Sequence, residues 1–83
     1  MNIKSAMDSG KAMISDATIT SKIKAKYFKE DALKAMDIHI TTENGKVKLS
    51  GEVFSSKDVS YAIEIAKNTD GVKAVESILK VKN

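Results

Sequence analysis

The side chains able to do chemistry in this chain are few: one histidine, eleven carboxylates, fourteen lysines and scattered serines, with no cysteine and no arginine. A protein metal site needs about three or four converging donors. His39 has only Asp37 and Thr41 as neighbours on its side of an alternating segment, and no second histidine exists, so it reads as a solvated surface residue. The carboxylates stand beside lysines or in turns, without the apolar surroundings that raise a catalytic acid's pKa. Ser50-Gly51 lacks the G-x-S-x-G context of a nucleophile elbow, and Ser55-Ser56 stands where a helix cap is needed. No glycine-rich phosphate cradle is present. Without cysteine there is neither thiol chemistry nor a disulfide staple. These residues therefore predict a protein that is not an enzyme and that needs no metal and no cofactor.

Surface recognition is what remains. Residues 16–35 hold five lysines against three acids, which makes the first predicted helix the most basic element of a chain with net charge +3. Lys22, Lys26 and Lys29 follow a helical repeat and form a stripe with Tyr27 and Phe28 at its end, the composition of a membrane-surface element. The plain alternatives are a solvated face and two aromatics that close a small core. Because every basic residue is lysine, the planar fork that grips phosphate bidentately is missing, and two tyrosines and two phenylalanines are few for stacking bases.

Residues 1–15 read as a leader of low order, weakly helical or disordered, with Gly10 interrupting a loose apolar spacing of Ile3, Met7 and Ile14. Asp16 is a suitable N-cap, and Ile19, Ile23 and Tyr27 then recur along one face of a helix over about 17–29. Alternation of Met36, Ile38, Ile40 and Thr42 with polar residues predicts a half-buried strand over about 36–43. Asn44-Gly45 follows, the dipeptide best suited to the two positive φ angles of a tight hairpin turn. The returning strand carries Val47, Leu49 and Val53, with Gly51 inside it marking a bulge or a close backbone approach.

Ser55-Ser56-Lys57-Asp58 resembles a capping box opening a second helix whose buried face is Val59, Ala62, Ile63 and Ala66. That helix should stop near Thr69-Asp70-Gly71, with Gly71 as its left-handed terminator, before a last strand with Val75, Leu79 and Val81. The order is α-β-β-α-β. Each strand has one apolar and one polar face, so the fold class is α/β (α+β): a two-layer sandwich with two helices on one face of a three-stranded mixed sheet. Eighty-three residues suffice for one such domain and no more. No run reaches the roughly 18 apolar residues of a membrane-spanning helix, and the N-terminus lacks the apolar centre of an export signal.

The segments Asp16-Ala17-Thr18-Ile19, Asn44-Gly45-Lys46-Val47-Lys48-Leu49-Ser50-Gly51-Glu52-Val53 and Asp70-Gly71-Val72-Lys73-Ala74-Val75 together resemble the BON domain, a family named for bacterial osmotically inducible and nodulation proteins. The domain is assigned to 16–83, behind the leader. The resemblance implies that Gly51, Gly71 and Val72, with the Asn44-Gly45 turn, make the fold rather than a catalytic site. It further implies a periplasmic localisation and a binding module linked to osmotic or envelope stress; the sequence read literally is soluble and unexported, and the periplasmic expectation takes an export signal, not visible in this sequence, as already removed. Many members carry two copies of the domain, where this chain carries one. In lipid-binding members the first helix of one copy is implicated as the contact.

Three functional expectations follow. The first is weak association with anionic phospholipid through Lys22, Lys26 and Lys29, helped by Tyr27 or Phe28. An alternative is a protein-interaction or chaperone-like role, with a sheet edge, Ile78 or the leader holding an extended client or supporting weak self-association. The last is nucleic-acid binding through Lys46, Lys48, Lys80 and Lys82; Glu43, Glu52 and Glu76 lie among these lysines and oppose it, so no nucleic acid is expected.

Overall fold

The computed structural model describes residues 14–82, so most of the predicted leader lies outside the described residues. The elements are α1 (Asp16–Lys29), β1 (Asp37–Glu43), β2 (Lys46–Val53), α2 (Ser56–Lys67), β3 (Ala74–Ser77) and β4 (Lys80–Val81). β2 lies between β1, its antiparallel hairpin partner, and β3, which runs parallel to it; β4 pairs with β2 as well. Both helices cover the apolar face of this mixed sheet, giving the two-layer α+β architecture. The last strand is the one revision of the element order. It is broken at Ile78-Leu79, yet Leu49 pairs with Ser77 before the break and Val53 with Val81 after it, so β4 continues β3 without a slip.

Ile19, Ile23 and Tyr27 of α1, Val47 and Leu49 of β2, and Ala62 and Ala66 of α2 form the buried core. The two alanines lack bulk, so α2 can lie close to the sheet. Leu33 also belongs to this core, from the turn-rich connection between α1 and β1. Glu30 C=O accepts from Leu33 N–H and Lys34 N–H, and Leu33 C=O accepts from Met36 N–H, which together turn the leucine inward.

Three local expectations are revised. The N-cap of α1 is Ser15, whose Oγ accepts from Thr18 N–H, and Asp16 falls in the first turn. Gly51 does not mark a bulge: β1 and β2 pair residue for residue from Asp37↔Glu52 to Glu43↔Lys46. It marks the close approach, because with φ at +114° a Cβ there would overlap the Asp37 carbonyl oxygen. Gly71 does not terminate α2, which ends at Lys67 with Asn68 as its C-cap at φ −89° and ψ 9°. It instead takes φ +92° within a tight turn closed by Val72 N–H to Thr69 C=O.

Candidate binding surface

The segments that carry the family pattern meet at one end of the molecule. The Asp16 carboxylate accepts from Asn44 N–H at 2.8 Å and from Gly45 N–H at 3.0 Å. Gly45 C=O then accepts from Lys73 N–H at 2.8 Å, and a Cβ on Gly71 would stand 3.1 Å from Ile19 Cδ1. Asn44 and Gly45 both hold positive φ, as a two-residue hairpin turn demands. Start of α1, hairpin turn and α2–β3 connection are thus bound into one joint, in which all the polar groups named have protein partners. Its chemistry is structural.

The lysine stripe divides into two unlike parts. Lys26 reaches across to α2, where its Nζ donates to Thr69 Oγ1 at 3.1 Å and to Asn68 C=O at 3.4 Å. There it places a cation on the last carbonyls of α2, where the helix dipole favours positive charge. Lys22 and Lys29 remain exposed on the same side. Tyr27 and Phe28, adjacent in sequence, separate completely. Tyr27 is buried, and its hydroxyl donates to Ala62 C=O at 2.7 Å; burial pushes its phenol well above the ordinary value. Tyr27 therefore belongs to the core and not to a surface contact. Phe28 is 76% exposed.

One helical turn from Phe28 stands Lys24, absent from the stripe read in the sequence, on the side of α1 that faces β1. Lys24, Tyr27, Phe28, Leu33, Lys34, Met36, Ile38 and Ile40 line a shallow groove between that helix and the edge strand. Met36, Ile38 and Ile40 are half-buried there because α1 covers the inner face of β1 only in part. Lys34 pairs with Asp31 at 3.2 Å, but both side chains are largely exposed, so the pair holds the lysine weakly. A basic, apolar surface thus exists, displaced around α1 from where the sequence pattern put it.

Elsewhere the polar features are local. His39 Nε2 lies 3.1 Å from Asp37 on the open face of the sheet, and among the described residues no group of three or more His, Asp or Glu could hold a metal ion. Tyr61 hydroxyl donates to Glu30 Oε1 at 2.6 Å, a bond that raises its phenol's pKa and ties α2 to the end of α1. Phe54 and Ile78, 64% and 53% exposed, lie at the end of β2 and in the break of the last strand. No helix among the described residues is long and apolar enough to cross a membrane.

Fold, joint and patterned segments together define the class: residues 15–83 match the model of the BON domain, and the chain belongs to that family. Over 72 residues it is 40% identical to "Osmotically-inducible protein Y" of Escherichia coli (strain K12), covering 87% of this chain and 36% of that protein. Over 65 residues it is 37% identical to "Outer membrane lipoprotein DolP" of Haemophilus influenzae, covering 78% of this chain and 33% of that protein. The chain thus spans about a third of the length of these relatives. Among solved structures, CdsD, a structural protein of the type III secretion system of Chlamydia trachomatis, superposes with a TM-score of 0.67 over 83% of this chain and 32% of that one. At 14% identity this likeness is one of fold alone.

Proposed function

We propose that this BON domain is a non-enzymatic binding module of the bacterial envelope, connected with osmotic or envelope stress, that associates weakly and reversibly with anionic phospholipid surfaces. The names of its relatives, one osmotically inducible and one an outer-membrane lipoprotein, support the setting. The observation that carries the lipid reading is Phe28, 76% exposed on the most basic helix. Lys24, Lys29 and Lys34 surround it in sequence and remain exposed. Each lysine contributes about 1 kcal/mol close to an anionic surface, and partial burial of the phenyl ring adds about 1–2 kcal/mol. The sum gives reversible attachment, not anchoring.

Co-sedimentation with anionic and neutral vesicles at low and high salt tests this reading. The chain should pellet with anionic vesicles at low salt only. Phe28→Ser should weaken pelleting several-fold, and joint replacement of Lys24, Lys29 and Lys34 by Gln should abolish it, whereas Lys26→Gln should change it little because Lys26 is held by α2. Failure to pellet with any vesicle would sink the lipid reading. A second reading, a periplasmic protein-interaction or chaperone-like module, is favoured by a different observation: β1 is an edge strand of the sheet.

A further inference from the structure

The two edges of the sheet are unlike. On one side β3 and β4 offer runs of four and two residues with a break between them, and in that break Leu79 N–H turns to Ser77 Oγ. Such interruption is how sheets blunt an edge. On the other side β1 is continuous over seven residues, without proline, glycine or bulge, and among the described residues nothing pairs with its outer edge. Beside this open edge lies the apolar groove under α1, with Ile38 and Ile40 of β1 on its floor and Phe28 and Lys24 on its wall. A backbone template and an adjoining row of apolar side chains are the two components of recognition by strand addition.

Charge identifies the occupant. The residues of β1 that alternate with the groove set are Asp37, His39, Thr41 and Glu43, all exposed, with an acid at each end. A strand added to β1 would set every second side chain beside this row, at cross-strand distances where opposite charges attract and like charges repel. Pairing of two β1 strands about a two-fold axis through Ile40 would place Asp37 opposite Glu43 at both ends, which disfavours a second copy there. We infer that the β1 edge and the α1–β1 groove together form a docking site for an extended segment of a partner protein in which apolar residues alternate with basic ones. Its apolar side chains lie over Met36, Ile38 and Ile40, and its basic side chains lie beside Asp37 and Glu43.

This inference rests on the protein-interaction reading and narrows it to one site and one pattern. The test uses the isotopically labelled full chain and capped peptides of about seven residues, long enough to span β1, alternating valine with either lysine or glutamate. The lysine peptide should bind saturably and slow hydrogen exchange of amides within 37–43, and the glutamate peptide should bind at least ~10-fold more weakly. In the Asp37→Lys/Glu43→Lys variant this preference should reverse; both positions are exposed, so the fold is retained. No binding of the lysine peptide, binding that leaves residues 37–43 unchanged, or a preference indifferent to the charge reversal overturns the site. Concentration-dependent protection of the same amides without peptide would assign the edge to a second copy and also overturn it. A parallel arm with a permanently unfolded, reduced and carboxymethylated protein separates the inference from the broader reading. If wild type and variant bind that chain equally while the lysine peptide leaves residues 37–43 unchanged, client binding stands and the β1 site falls; if neither that chain nor the lysine peptide is bound, both fall.

Discussion

At the residue scale, Asp16 shows how one side chain can serve distant sequence. Its carboxylate accepts two turn N–H groups 28 and 29 residues away. Charge-assisted bonds of this kind contribute about 1.5–3 kcal/mol each when shielded, and these are part-exposed. Asp16→Ala should therefore lower the unfolding free energy by about 1–3 kcal/mol in urea denaturation, with Ser15 still capping α1. Tyr27 carries a pH signature. An unfolded tyrosine ionises near about pH 10, while burial holds the Tyr27 proton to higher pH in the folded chain. The unfolded state then loses its proton first, so this contribution to stability is intact below about pH 10 and is lost as pH rises beyond it. Tyr27→Phe should cost about 1 kcal/mol at neutral pH through the lost bond to Ala62 C=O. Its stability should fall less steeply than wild type above about pH 10, measured by denaturation at several alkaline pH values.

At the scale of elements, periodicity and turn chemistry were legible because they are local. The alternation along 36–43 and 47–53, Asn44-Gly45 and the Ser55 cap all correspond to what the structure contains, within a residue at the strand start. The misread signals are those where one residue type has two physical uses. Glycine inside a strand serves a bulge or a close approach, and only the pairing of Ile38 with Gly51 decides between them. An acid at a helix start serves as cap or as first-turn charge, and the serine one position earlier takes the cap. Gly51→Ala should separate β1 from β2, since the added methyl meets rigid backbone at Asp37. A loss of more than about 2 kcal/mol, or failure to fold, should be seen by circular dichroism and urea titration. Gly45→Ala, strained by its φ of +83° but meeting first the flexible carbons of Lys73 at 3.0 Å, should cost less than Gly51→Ala.

At the scale of the molecule, a small domain with one core separates stability from surface function cleanly. Leu49 is wholly buried at the centre of β2. Leu49→Ala should cost about 2–5 kcal/mol, a large share of the roughly 5–10 kcal/mol available to a domain of this size, and should bring the thermal midpoint down steeply. Phe28→Ser should leave the same midpoint almost unchanged, because that ring packs on little. A comparable loss of stability in the two variants would show that Phe28 belongs to the core and would remove the basis of the lipid surface.

The amino-acid sequence by itself determined the kinds of element, their order up to the broken last strand, and the two-layer packing, because apolar periodicity records which side of each element faces inward. It did not determine what stands beside each outward position. Tyr27 and Phe28 lie about 100° apart on a helix, and either could close a core; the position of α2 buries the first and leaves the second exposed. Lys22, Lys26 and Lys29 make an even stripe in projection, yet the end of α2 holds Lys26, and it is Lys24 that lines the groove. Strand order likewise follows from how α2 returns the chain, and that return alone makes β2 central and leaves β1 at an edge. Contacts between segments far apart in the chain settle these points, and no local pattern encodes them.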